Sequence, residues 1–140
     1  MLNNDSNLST RRLWNIAHLL LCLLQGAAVS WALLTPDPFS LVRDTSLGWV
    51  QSVSDLMMHA IVFTVLSATV LSLCQAAYGE LPAVAVFTLL GYSIAMEGLQ
   101  AFVPGRTSDP RDVIANVAGF VLGLSVARVL PLLRPARDKA

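Results

Sequence analysis

LMMHAIVFTVLSATVLSLCQAAYGELPAVAVFTLLGYSIAMEGLQAFV, residues 56–103, is the stretch that decides the fold. A helix needs about 20 largely apolar residues to cross the hydrocarbon core of a bilayer. This stretch supplies that length twice, as Leu56–Tyr78 and Leu81–Val103, with Gly79 and Pro82 bracketing a tight hairpin. Working outward, Leu13–Leu34 and Val113–Leu133 qualify as well. Thr35-Pro36-Asp37-Pro38 closes the first of the four spans and Pro104-Gly105 the third. Backbone groups facing lipid have no water to bond, so each span must be helical. The chain is therefore predicted to be all-α: one polytopic membrane domain over residues 1–140, a four-transmembrane-helix bundle with flexible tails at 1–10 and 134–140.

Composition agrees. Hydrophobic residues make up 55% of the chain and charged residues 13%, with mean hydropathy +0.64. Soluble domains usually carry about 25% charged residues. Formal net charge is zero, which gives no footprint for nucleic acid. Cys22 and Cys74 lie in apolar runs without metal-site or redox spacing and read as small buried hydrophobes. Arg11-Arg12 and the small residues at 27–30 are ingredients of a signal peptide. The apolar run between them exceeds the usual core of about 7–15 residues, so the first span reads as retained.

Lysines and arginines set orientation. With the N-terminus inside, Arg11, Arg12, Arg128, Arg134, Arg137 and Lys139 are cytoplasmic, against Arg43, Arg106 and Arg111 outside. Both termini are expected in the cytoplasm. The loop from Thr35 to Asp55 reads either as a short interfacial helix or as a connector with an aromatic anchor.

Ionisable groups at membrane depth are costly and point to function. Asp55 and His59 share a face at i, i+4. Glu97 and Gln100 lie at i, i+3 near the end of the third span, and Asp112 and Asn116 at i, i+4 at the start of the fourth. Arg106, Asp109 and Arg111 fill the loop between those spans. All of these fall at one end of the bundle, predicted to be the outer one. Asp109 and Pro110 have the chemistry of an N-cap and first helical position. Asn116, Gly119 and Gly123 form a small-residue stripe for close helix packing, read as internal. His18 and Gln25 read as interhelical contacts outside the site.

These residues also resemble a family pattern. Asp55-Leu56-Met57-Met58-His59 is similar to the Asp-Lys-x-x-His element of the VanZ-like family, with leucine at the lysine position. That family of small bacterial membrane proteins is named for a teicoplanin-resistance factor. Glu97-x-x-Gln100, Pro104, Arg106, Asp109, Asp112-x-x-x-Asn116, Gly119 and Gly123 are similar to its second element. The resemblance implies a cell-envelope protein, with glycopeptide resistance attached to some members.

Three functions fit. The first is binding or handling of an anionic membrane lipid, such as a polyprenyl-linked precursor. Arg106 and Arg111 would meet its phosphate, since a guanidinium can donate two hydrogen bonds at once. The second is an enzyme on a lipid-linked substrate, with Glu97 or His59 as general base. No serine or cysteine nucleophile lies beside His59. The third is an accessory subunit, a homo-oligomer or partner of another membrane protein, whose polar cluster only fixes packing. The acids could hold a divalent metal, but they lack a tight motif and two sit beside arginines. No metal or cofactor is expected.

Overall fold

The computed structural model describes residues 3–106 and 109–130, with side chains from Arg12 onward. Four helices follow in order: α1 (Asn3–Leu34), α2 (Asp55–Tyr78), α3 (Ala83–Gln100) and α4 (Pro110–Val129). Each is long and apolar enough to cross a membrane, α1 over Arg12–Leu34. Large apolar side chains are exposed on all four helices, among them Leu20 and Leu24 on α1, Ile61 and Val65 on α2, Phe87 on α3, and Ile114 and Leu122 on α4. So much apolar surface turned outward suits lipid, not water.

Local chemistry sets the helix ends. Ser54 caps α2, its hydroxyl accepting from the Met57 N–H at 3.3 Å. Gly79 ends α2 at φ 80°, its N–H bonded to the Gln75 carbonyl at 2.9 Å. A left-handed residue there suits glycine. The expected hairpin follows directly, and α3 starts after Pro82.

The third helix stops at Gln100, three residues before the expected end at Val103. Pro104 disfavours helical backbone at Val103, and residues 101–105 tighten into turns with Gly105 at φ 82°. The fourth starts at Pro110, ahead of the expected Val113, because Asp109 caps it: the carboxylate accepts from the Arg111 N–H at 2.9 Å. The first starts at Asn3, within the stretch expected to be a flexible tail. Polar residues do not oppose a helix beyond the bilayer, and hydropathy marks only the part inside it. Residues 131–133 of the expected fourth span, the tail at 134–140 and residues 1–2 lie outside the described residues. The Thr35–Asp55 loop contains neither expected form alone: it makes two short 3₁₀ turns, Pro38–Leu41 and Gly48–Ser52.

The closest packing in the bundle is between α2 and α4. A Cβ at Gly119 would run into the Ala60 carbonyl oxygen, and one at Gly123 would stand 2.6 Å from the Thr64 carbonyl oxygen and 2.7 Å from Ser67 Cβ. The glycine stripe therefore faces inward, as expected. Phe63, Leu66, Leu71, Leu89, Met96, Phe120 and Ala127 form the buried core of α2, α3 and α4, and among the described residues α1 contributes Val29 and Leu33.

Candidate functional site

The start of α2, the end of α3 and the start of α4 meet at one end of the bundle, beside the end of α1. At its centre is Asn116, fully buried. Its Nδ2 donates to the Ser93 carbonyl at 3.0 Å, which leaves Oδ1 to face His59 Nδ1 at 2.8 Å. An amide oxygen only accepts, so Nδ1 carries the proton. The other ring nitrogen, Nε2, is buried without a hydrogen-bond partner among the described residues and lies 4.0 Å from Asp55 Oδ2. One donor atom each of Asp55, His59 and Asp112 lies within 4.8 Å of the others. Asp55 is exposed, whereas His59 and Asp112 are buried.

Glu97 is also buried, 3% exposed. Its Oε1 accepts from the Asp109 N–H at 3.0 Å, and Oε2 has no partner among the described residues. A carboxylate at that position suits the positive end of α4 and ties α3 to it.

The two loop arginines part company. Arg106 is largely buried and turned toward α1. Its Nε and Nη2 donate to the Thr35 carbonyl at 3.3 and 3.2 Å, and Nη2 also reaches Ala32 O at 3.3 Å. The last carbonyls of a helix lack intrahelical partners, and a cation offsets their negative dipole end. Arg106 Nη1 lies 3.7 Å from Asp55 Oδ1, so this side chain joins the ends of α1 and α2. The backbone bonds occupy Nε and Nη2, and Nη1 is turned toward Asp55. Arg111 is exposed, and its side chain has no partner among the described residues. It lines a polar cavity of about 230 Å³ with Asp55, Leu56, Asp109 and Asp112.

Gln100 is another tie. Its Nε2 donates to the Leu33 carbonyl at 2.8 Å, deep in the bundle. The structure thus brings together Asp55, His59, Asp109, Arg111, Asp112 and Asn116 at or beneath the cavity. It sets Glu97, Gln100 and Arg106 behind it as braces. Ser93, whose carbonyl orients Asn116, carries no mark in the sequence, because any residue has a carbonyl. Nor does the Tyr92 hydroxyl, which donates to Gly26 O at 3.1 Å and shares a 2.8 Å bond with Ser30. His18 Nδ1 and Gln25 Oε1 do not make the interhelical bonds expected of them; both are buried without partners among the described residues.

Four apolar helices closed at one end by a shared polar cluster define a small polytopic membrane protein. The family model described as VanZ/LLP1 matches residues 4–131, and the chain belongs to that family. The match takes in α1 as well as the motifs from Asp55 to Gly123. No curated protein and no solved structure matches the chain.

Proposed function

We propose that this protein binds the phosphate-bearing head group of an anionic envelope lipid, such as a polyprenyl-linked precursor, at the polar end of its bundle. The observation that carries the reading is Arg111: an exposed guanidinium over a polar cavity, held by a capped helix start and committed to no other side chain among the described residues. Arginine presents a planar fork that matches phosphate oxygens. The excess of arginine and lysine at the chain termini supports placing this end on the extracytoplasmic face of the inner membrane, both termini being cytoplasmic. Glycopeptides act on lipid-linked precursors on that face, which fits the teicoplanin link of the family resemblance.

The test is native mass spectrometry of the full chain in mild detergent. Wild type is expected to retain a phospholipid or polyprenyl phosphate, Arg111→Ala to lose it, and Glu80→Gln, in the α2–α3 hairpin at the opposite end of the bundle, to keep it. A folded wild type that retains no anionic lipid overturns the reading.

A second reading, an accessory subunit, is favoured by the number of polar side chains given to backbone ties: Gln100, Arg106 and one oxygen of Glu97. It expects Arg111→Ala to be silent. The Nε2 of His59, without a hydrogen-bond partner among the described residues, supports the enzyme alternative, with His59 as general base. Retained lipid with lost turnover in His59→Gln would favour it.

A further inference from the structure

Among the described residues, an anionic head group would meet three carboxylates at this cavity, those of Asp55, Asp109 and Asp112, and one guanidinium, that of Arg111. We propose that Asp55, His59 and Asp112 bind one divalent metal ion of the Mn²⁺ or Zn²⁺ kind.

Three observations support the site. The first is the donor set: two carboxylates and one imidazole from two helices, with ligand atoms within 4.8 Å of one another. Bonds of about 2.0–2.2 Å to one ion put ligands roughly 3–4 Å apart, so closure needs side-chain shifts on the order of an ångström. The second is His59 itself. It is 1% exposed, and its Nε2 has no hydrogen-bond partner among the described residues and lies 4.0 Å from Asp55 Oδ2. An unbonded buried nitrogen is costly, and a metal would satisfy it. The third is the partner of the other ring nitrogen. Metal-binding histidines usually donate their second N–H to a carbonyl or carboxylate, which fixes the ring and its tautomer. Asn116 Oδ1 takes that proton at 2.8 Å, and Ser93 O holds Asn116 in turn.

Asp55 is arranged to serve both neighbours. Oδ1 faces Arg106 at 3.7 Å, which leaves Oδ2 on the His59 side. Mixed oxygen and imidazole donors suit Mn²⁺ or Zn²⁺ better than Ca²⁺. Three protein ligands leave coordination positions open toward the cavity. Phosphate oxygens could occupy them, and in that respect alone the inference rests on the head-group reading.

The experiment uses the full chain, lipid-stripped in detergent, titrated with Mn²⁺ and followed by EPR. Wild type is expected to bind one ion at roughly micromolar concentration, with ¹⁴N modulation in the pulsed spectrum from a bound imidazole. His59→Gln and Asp112→Asn should each weaken binding about a hundredfold, Asn116→Ala about tenfold, and Glu80→Gln not at all. A folded wild type without saturable Mn²⁺ binding, or bound Mn²⁺ without nitrogen modulation, overturns the proposal, and neither result depends on how a variant folds. Because no lipid is present, loss of the head-group reading would leave this result intact.

Discussion

The α2–α4 pair and helix α1 are held by different means. The pair meets backbone to backbone along Gly119 and Gly123, and it contains every residue of the cavity wall except Asp109, the cap of α4 itself. Helix α1 buries little apolar surface and is tied by hydrogen bonds to its carbonyls from Tyr92, Gln100 and Arg106. In lipid, apolar burial does not drive helices together, so close packing and polar bonds must do it. Close packing gives a rigid pair on which a site can be built. A helix held by a few bonds between its middle and one end can shift without disturbing that pair.

The largest effect should come from breaking the pair. Gly123→Leu places a side chain where Thr64, Ser67 and Ala68 already stand, and α2 and α4 can only separate. A loss of about 3 kcal/mol or more is expected, read as disappearance of the monodisperse peak in detergent chromatography. A silent Gly123→Leu would mean that the pair is not held by close approach.

Next is Asn116→Ala, which leaves His59 Nδ1 without an acceptor inside the pair. Roughly 1–2 kcal/mol should be lost, measured as a lower thermal midpoint, with the bundle still formed. Arg106→Ala sharpens the comparison from the other side. It should cost about 1 kcal/mol and speed hydrogen exchange near residues 30–35 while leaving α4 protected. Faster exchange in α4 would show that α1 and the pair unfold as one unit. The smallest effect is expected for Tyr92→Phe, about 0.6 kcal/mol, seen only as a slight drop in thermal midpoint.

The same contrast explains what the sequence revealed. The spans of α2 and α3 were legible because lipid demands length and apolarity, and Gly79 and Pro82 punctuate them. Asp109-Pro110 and the glycine stripe were legible because capping and close approach select particular residue types. Asp55, His59, Asp112 and Asn116 could be gathered at one end by counting helix turns. How they divide the work could not. Arg106 and Arg111 look alike in the sequence, yet one bonds backbone carbonyls of Ala32 and Thr35 and the other faces the cavity. Carbonyls leave no signature in a sequence. The same holds for Glu97, whose partner is a backbone N–H, and for Gln100. That donor atoms of His59 and Asp112 come within 4.8 Å of each other follows from the packing of α2 on α4, which helix-turn counting does not give.

The central claim is that Arg111, rather than Arg106, meets a lipid phosphate at the polar end of the pair. The most direct measurement is phosphorus–nitrogen dipolar recoupling by solid-state NMR, on ¹⁵N-arginine protein in membranes containing anionic lipid. The account predicts dephasing of the Arg111 guanidinium by ³¹P and none at Arg106. Dephasing at Arg106 with none at Arg111 would contradict it.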